Sequence, residues 1–136
     1  MTGLFLDTAG WFAAISPREK GHVEARTVYE DAARRGLRLV TTPLVIAEVH
    51  TLMLRWRDPQ TAAGFLAFAF NPKAHAVTEV DRELIDAAIA RWIRRYADQS
   101  FSLCDVVSFE VMRRARLSRC LTFDRHFVVA GYQILA

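Results

Sequence analysis

In the stretch Gly3-Leu4-Phe5-Leu6-Asp7-Thr8, a short apolar run ends directly at a carboxylate. Such a run is typical of a strand that is buried on both faces, and these strands occur mainly in parallel sheets covered by helices. In an open parallel sheet, reacting groups gather just beyond the carboxyl ends of the strands. We therefore interpret Gly3–Leu6 as a core strand and Asp7 as a candidate site residue, although a cap or turn carboxylate is also common at such a junction.

The rest of the chain alternates short apolar runs with helical patterns. Helix starts are marked by Thr42-Pro43 and Asp58-Pro59, because proline costs nothing at the first helical position. The predicted strands are 3–6, 37–40, 74–78, 119–123 and 132–135, and the predicted helices are 9–15, 19–35, 43–56, 59–70, 81–96 and 103–116. This order predicts the α/β class, with a central, mostly parallel, five-stranded sheet flanked by helices on both faces. A length of 136 residues fits one domain, 1–136.

Composition narrows the class of protein further. With 52% hydrophobic and 24% charged residues, the chain is globular and neither disordered nor fibrous. Its longest apolar run, 62–70, is far shorter than the roughly 20 residues that a membrane helix needs. We find no secretory leader, and Cys104 and Cys120 show no paired spacing, so we expect a cytoplasmic protein with reduced core thiols.

The basic residues favour a polyanionic partner. Lys20 and Lys73 are the only lysines, so 16 of the 18 basic residues are arginine, whose planar fork suits phosphate. A GC-rich genome would produce the same bias. Because the net charge of +3 includes acids that a buried site would hide, the remaining surface is expected to be more basic and to attract a polyanion.

Three further acids occupy positions that suit a site. Asp124 follows Leu121-Thr122-Phe123 as Asp7 follows its own strand. Asp105 fits a capping box with Ser102, and the same placement aims its carboxylate out of the first turn of a helix. Ser108, one turn further on, either supports a ligand or is only solvated.

Glu48 is the third of these acids. It lies along a largely apolar stripe of the predicted helix 43–56, so we expect it to be buried. Burying it unpaired would cost several kcal/mol, so it needs a partner. That partner is either an arginine or a metal ion.

Taken together, these acids resemble the pattern of the PIN-domain nucleases, particularly the VapC-like toxins of bacterial toxin–antitoxin pairs. The matching stretches are Phe5-Leu6-Asp7-Thr8, Thr42-Pro43-Leu44-Val45-Ile46-Ala47-Glu48, Ser102-Leu103-Cys104-Asp105-Val106-Val107-Ser108-Phe109 and Leu121-Thr122-Phe123-Asp124-Arg125-His126-Phe127. The resemblance implies a PIN-like fold and a pocket in which Asp7, Glu48, Asp105 and, less importantly, Asp124 hold Mg²⁺ or Mn²⁺. Thr8 matches the small hydroxyl residue that follows the first acid in this family.

Elementary chemistry agrees with a metal site. Clustered carboxylates repel each other until they take up protons or bind a cation, and an all-oxygen set selects a hard ion. We assign Asp7 and Asp105 as direct ligands, Glu48 as ligand or water-orienting base, and Asp124 as an outer ligand. Hydrolysis at such a site predicts 5′-phosphate and 3′-hydroxyl ends.

Basic side chains surround the last two acids in the sequence. They are Arg113, Arg114, Arg116, Arg119 and Arg125, opposed only by Glu110. These arginines either contact RNA phosphates or form a solvated helix end that the helix dipole favours. No histidine pair has zinc-ligand spacing, so we interpret the histidines as surface or core residues, with His126 as the exception because it follows Asp124 so closely.

The segment 62–70 is apolar all round, so one sheet cannot bury every side of it. Part of it should therefore contact another chain, unless the helix is deeply buried within one monomer. The resemblance implies a homodimer and a small antitoxin that wraps over hydrophobic helices. Trp11, Trp56 and Trp92 are interpreted as core or interface residues.

The sequence thus predicts a metal-dependent endoribonuclease that cuts a structured RNA, such as tRNA or rRNA, and is neutralised by an antitoxin. A non-catalytic RNA-binding or protein-interaction module on the same fold is the main alternative. A receiver-type signalling domain is a weaker one, because Asp7 has no adjacent acid and no lysine follows Lys73.

Overall fold

The computed structural model describes residues 3–135, and Met1, Thr2 and Ala136 of the predicted domain 1–136 lie outside the described residues. Within that range, five parallel strands form one sheet in the spatial order β3-β2-β1-β4-β5. They are β1 (Gly3–Leu6), β2 (Arg38–Thr41), β3 (Ala76–Val77), β4 (Arg119–Leu121) and β5 (Gln133–Ile134). The predicted α/β class and five-stranded sheet are confirmed, and the sheet is parallel throughout.

Helices connect the strands. Residues 3–135 contain α1 (Thr8–Ile15), α2 (His22–Arg34), α3 (Pro43–Trp56), α4 (Pro59–Ala69), α5 (Arg82–Ala88), α6 (Leu103–Ala115) and α7 (His126–Val129). The predicted starts of α3 and α4 are confirmed, since Thr42 Oγ1 accepts from the Val45 N–H and Asp58 Oδ1 accepts from the Thr61 N–H. Helix α7 has only four residues, too few to show a helical period in the sequence.

The helix predicted at 19–35 is His22–Arg34, and the strand predicted at 74–78 is only Ala76–Val77. Two further predicted elements differ from the structure in conformation. The strand predicted at 119–123 ends at Leu121, after which Thr122 turns towards Asp7. The long helix predicted at 81–96 is regular only as far as Ala88 and continues as a π-helical turn, Ile89–Ile93. The Arg94 N–H donates to the Ile89 carbonyl at 3.1 Å, a bond across five residues that widens the helix at this point.

The central strand β1 is buried on both faces. Leu4, Phe5 and Leu6 have no exposed surface, and because side chains alternate along a strand, both sides of the sheet must be covered. Gly10 lets α1 pass directly over the end of β4, because a Cβ there would clash with the Leu121 carbonyl. The start of α1 therefore lies against the carboxyl end of β4.

Some large apolar side chains remain on the surface. Phe68 and Phe70 are exposed, so the alternative of a deeply buried helix at 62–70 is wrong for these two residues. Trp11 and Trp92 belong to the core as predicted, whereas Trp56 is 62% exposed. Among residues 3–135, no helix is long and apolar enough to cross a membrane.

Candidate metal centre

Asp7 joins the end of β1 to the start of α1 and is only 5% exposed. Its carboxylate does not cap α1, and its Oδ2 instead accepts a hydrogen bond from Thr122 Oγ1 at 2.8 Å. Burial raises the pKa of Asp7 to about 7, with a further increase from the charges of Asp105 and Asp124, although hydrogen bonds from Thr122 and the backbone of Thr8 act against it. This carboxylate is therefore poorly stabilised as an anion.

Asp105 occupies the first turn of α6, where both predicted roles are compatible. It forms the capping box, because Ser102 Oγ accepts from the Asp105 N–H at 3.0 Å and Asp105 Oδ2 accepts from the Ser102 N–H at 3.1 Å. Burial raises the pKa of Asp105, and the nearby charge of Asp124 adds to the increase. The cap thus holds a largely buried carboxylate close to a second one.

Asp124 and His126 complete a compact cluster with Asp105. Asp124 Oδ1 accepts from the His126 N–H at 2.9 Å, and His126 Nδ1 lies 3.4 Å from Asp105 Oδ2 and 3.5 Å from Asp124 Oδ1. One potential ligand atom from each of the three residues falls within 4.8 Å of the others. His126 Nδ1 is buried without a hydrogen-bond partner in residues 3–135, so the atom is available to a ligand.

Thr122 connects the cluster to Asp7. It is fully buried, its Oγ1 donates to Asp7 Oδ2, and the same oxygen accepts from the Asp124 N–H at 3.0 Å. Sequence analysis did not assign a role to Thr122. The available signal was a hydroxyl residue inside the apolar run Leu121-Thr122-Phe123.

The expectation that Glu48 is buried is wrong. Helix α3 packs through Val45, Ile46, Val49 and Met53, and Glu48 lies at the exposed rim of this stripe. Its Oε1 accepts a hydrogen bond from Thr8 Oγ1 at 2.6 Å, and in the described chain no arginine pairs with it. An open cavity of about 300 Å³ is lined by Thr8, Glu48, Thr51 and Leu52. Thr8 therefore links Glu48 to the start of α1, directly after Asp7.

Cys104 lies between these acids and stays a neutral thiol. Burial raises its pKa well above the usual range, and the charges of Glu48 and Asp7 raise it further. A thiolate is the form that binds metals, so Cys104 is a poor ligand at neutral pH. Both Cys104 and Cys120 are buried and free, as the sequence predicted.

Other predicted site residues lie outside the cluster. Ser108 is fully buried with no hydrogen-bond partner in residues 3–135, so the solvated alternative is wrong. Arg113 and Arg114 bind Glu110, at 2.7 and 3.0 Å, rather than the acids of the cluster. Arg125 is exposed at the start of α7, next to His126.

The donor set fits a divalent cation. Within residues 3–135, neither lysine nor arginine pairs with Asp7, Asp105 or Asp124, so no permanent positive charge of these residues offsets their mutual repulsion. The carboxylates of Asp105 and Asp124 form this cluster with the imidazole nitrogen of His126, and the Asp7 carboxylate lies near them. Such a set suits Mg²⁺ or Mn²⁺ better than a soft ion. The cluster can therefore hold a metal ion.

Comparison with known proteins agrees with this geometry. A family model described as the PIN domain matches residues 4–131. Relatives named 23S rRNA-specific endonuclease VapC20, from Mycobacterium tuberculosis strains CDC 1551 / Oshkosh and ATCC 25618 / H37Rv, are 26% identical over 129 residues and cover 95% of both chains. The crystal structure of Mycobacterium tuberculosis VapC20, described as a sarcin-ricin loop cleaving toxin, superposes with a TM-score of 0.84, 26% identity and 96% coverage of each chain. The predicted resemblance is confirmed, and the receiver-domain alternative is wrong.

Proposed function

Because the chain belongs to the PIN-domain family, we propose that it is a metal-dependent endoribonuclease that acts on a structured RNA as the toxin of a toxin–antitoxin pair. One observation carries this proposal. Asp7, Asp105 and Asp124 come from distant parts of the chain and meet at one edge of the sheet without a lysine or arginine partner among the described residues. Such an arrangement is unfavourable for a protein alone and suits one that binds a cation.

Asp7 and Asp105 are the proposed direct ligands of Mg²⁺ or Mn²⁺, with Asp124 as an outer ligand. When bound, the ion polarises a phosphoryl oxygen and lowers the pKa of a coordinated water. Thr122 and the Ser102 backbone hold two of these carboxylates by hydrogen bonds, so the oxygens are oriented before the ion arrives.

Glu48 is proposed to orient the attacking water or to act as a further ligand. Thr8 Oγ1 donates to one carboxylate oxygen of Glu48, Oε1, and so orients this side chain. Because Glu48 is exposed, water and substrate can reach it through the cavity beside Leu52. These properties suit a group that accepts a proton from water.

His126 is proposed to influence which ion binds. Its Nδ1 points towards Asp105 and Asp124, and the Phe101 ring packs edge-on against the imidazole at 5.2 Å between ring centroids. Since imidazole suits Mn²⁺ better than Mg²⁺, His126→Gln should reduce the preference for Mn²⁺ in calorimetric titrations.

A loop of the large ribosomal RNA is the proposed substrate, because relatives of this fold and similar length are named for such an activity. The test is to map new 5′ ends in total RNA after brief expression of the wild type and of Asp105→Ala. We expect a few cleavage sites with the wild type alone, and purified protein should cut with Mg²⁺ or Mn²⁺ but not with EDTA. The products should carry 5′-phosphate and 3′-hydroxyl ends, and 2′,3′-cyclic phosphate ends would contradict metal-dependent hydrolysis.

The non-catalytic RNA-binding or protein-interaction module remains the second candidate for this experiment. It would be supported if the wild type and Asp105→Ala bound RNA equally and neither cleaved it.

An antitoxin and a second copy of the chain are the proposed protein partners, and an RNA target places the activity in the cytoplasm. Exposed apolar side chains on and beside α3 and α4 support a protein contact, namely Leu54, Trp56, Phe68 and Phe70. Light scattering of the purified protein tests the homodimer, and co-purification with the product of an adjacent small reading frame tests the antitoxin.

A further inference from the structure

Helix α6 carries a second buried carboxylate, Glu110, which is surrounded by arginines. Its side chain is 1% exposed, and it binds Arg113, Arg114 and Arg91 at 2.7, 3.0 and 3.3 Å. The Trp92 Nε1–H also donates to it, at 3.2 Å. Although burial by itself raises the pKa of Glu110, the hydrogen bonds from Arg113, Arg114 and Trp92 lower it to about 2.

The π-helical turn Ile89–Ile93 supplies two of these contacts, since it contains both Arg91 and Trp92. In a regular α-helix the side chains of Arg91 and Trp92 would point in other directions, because a π-helical turn contains one residue more than an α-helical turn. π-turns are rare and occur frequently at functional sites. The irregularity thus places Arg91 beside Glu110.

An open cavity of about 410 Å³ lies against this group. Its charged lining consists of Arg91, Arg95, Arg113, Arg114 and Glu110. The side chains of Arg91 and Arg113 are 42% and 44% exposed, so both arginines contact solvent while they bind the buried Glu110.

The charges in this region do not cancel. Glu83 binds Arg114 through both Nη atoms, each at 2.8 Å, so Arg114 is occupied on every side by Glu83 and Glu110. Four arginines face two carboxylates, which leaves a net charge of +2. In residues 3–135, the Nη groups of Arg91 and all donors of Arg95 have no hydrogen-bond partner.

We propose that Arg91, Arg95 and Arg113 form an anion site that binds a backbone phosphate of the RNA substrate. Free guanidinium donors in a fixed arrangement match phosphate oxygens. Glu110 holds Arg91 and Arg113 in place before binding, which reduces the entropy lost when the phosphate is bound. This inference rests on the proposed ribonuclease function, because that function identifies RNA as the polyanion.

The anion site is separate from the metal centre. Arg113 follows Asp105 by eight residues on α6, which is roughly 12 Å along the helix axis. The phosphate bound there is therefore not the one that is cleaved. An open position of this kind suits a polymer that lies across the surface, whereas small ligands are usually enclosed on most sides.

RNA binding in EDTA tests the site without cleavage. The probe is a labelled RNA stem-loop with the sarcin-ricin sequence, and its Kd is measured at several salt concentrations for Arg91→Ala and Arg95→Ala. Each variant should weaken binding about tenfold. Each should also reduce the slope of log K against log salt by about 1. Arg26→Ala is the matched control, because it removes the same charge from an exposed pair on α2.

Equal affinities for Arg91→Ala, Arg95→Ala and Arg26→Ala would overturn the proposal, as would a wild type that does not bind RNA. Loss of RNA binding is distinguished from misfolding by measuring each variant's unfolding temperature. Arg95→Ala should fold normally, since Arg95 is exposed and has no hydrogen-bond partner in the described chain.

Titration with inorganic phosphate, followed by the NMR signals of arginine Nε–H groups, separates RNA from a small anion. We expect weak shifts at Arg91 and Arg113 that the RNA reproduces at far lower concentration. Tight phosphate binding that RNA cannot displace would contradict an RNA site. The binding assays contain no metal, so cleavage is measured separately with Mg²⁺ or Mn²⁺. RNA binding through the arginines without cleavage in the presence of metal would refute only the nuclease function, and cleavage and binding that Arg91→Ala and Arg95→Ala leave intact would refute only the anion site.

Discussion

Asp105 and Glu110 are two acids on the same helix with opposite surroundings. Both side chains are largely buried, at 13% and 1% exposure. Glu110 is bound by three arginines, and although burial raises its pKa, hydrogen bonds from two of these arginines and from Trp92 lower it to about 2. Asp105 instead meets a backbone N–H, a histidine and another carboxylate, and burial raises its pKa. A nearby cation stabilises a buried carboxylate, and residues 3–135 supply arginines for Glu110 but neither arginine nor lysine for Asp105.

Asp7 extends the comparison. Its pKa is about 7, so in the folded, metal-free protein the Asp7 carboxyl is only partly ionised at neutral pH. The acids of the candidate metal centre thus lack an arginine or lysine partner among the described residues, whereas Glu110 in the arginine cluster has three arginine partners. Four substitutions test this difference, beginning with the largest expected effect.

Asp105→Asn should reduce metal-dependent RNA cleavage on the order of a thousandfold or more, because it removes a charged ligand while asparagine can still cap α6. Single-turnover cleavage rates provide the measurement. Asp58→Asn is the control, since it makes the same change at an exposed carboxylate that also accepts a backbone N–H at a helix start, that of α4. Equal loss of activity in both variants would show that capping, rather than charge, matters.

Asp7→Asn should make the metal-free protein more stable at pH 8, by about 2–4 kcal/mol. The folded pKa of Asp7 is about 7 and its ordinary value is 3.8, so its favourable contribution to stability is complete below pH 3.8 and is lost as pH rises to about 7. The advantage of the variant should therefore grow between these pH values and stay constant above them.

Urea unfolding in EDTA, repeated from pH 4 to pH 8, measures this advantage. Manganese should then stabilise the wild type more than Asp7→Asn. If the variant is less stable than the wild type at pH 8, the buried carboxylate of Asp7 does not destabilise the folded protein.

Glu110→Gln should destabilise the protein by roughly 2 kcal/mol, after allowance for the exposure of the arginine partners. Since the pKa of Glu110 is lowered from 4.5 to about 2, its stabilising contribution is present above pH 4.5 and is lost as pH falls towards 2. Denaturant unfolding at pH 7 measures the effect. Glu30→Gln, which breaks an exposed pair with Arg26, should change stability by less than about 0.5 kcal/mol.

Thr122→Val should weaken manganese binding about tenfold, because it removes the hydroxyl that orients Asp7 and retains the shape of the side chain. Isothermal titration calorimetry measures the affinity. Thr27→Val is the control, as its hydroxyl only donates to the Val23 carbonyl on α2. If Thr122→Val binds manganese with unchanged affinity, Thr122 does not position Asp7 for metal binding.

The strands, and the acids next to strand ends and helix starts, could be predicted because they depend on residues that are close in the sequence. The order of apolar runs predicted the parallel sheet, and Asp7, Asp105 and Asp124 were singled out because each directly follows an apolar run or lies in the first turn of a predicted helix. Glu48 was also found, but its burial was mispredicted, since a helical stripe does not show where its packed edge ends.

Thr122, the π-turn and the arginine cluster around Glu110 could not be predicted in this way. Their roles depend on contacts between distant elements: Thr122 meets Asp7 across 115 positions, and Arg114 meets Glu83 across 31. Local patterns contain no information about such distances.

The sequence by itself determined the α/β class, because apolar periodicity is a local property. Its four motif stretches indicated the nuclease family and the residue types of the candidate metal centre by resemblance. Only the tertiary structure decided which buried carboxylates receive a cation from the chain. Burial and charge pairing depend on what packs nearby in space, so Asp105 and Glu110 differ although both lie on one helix.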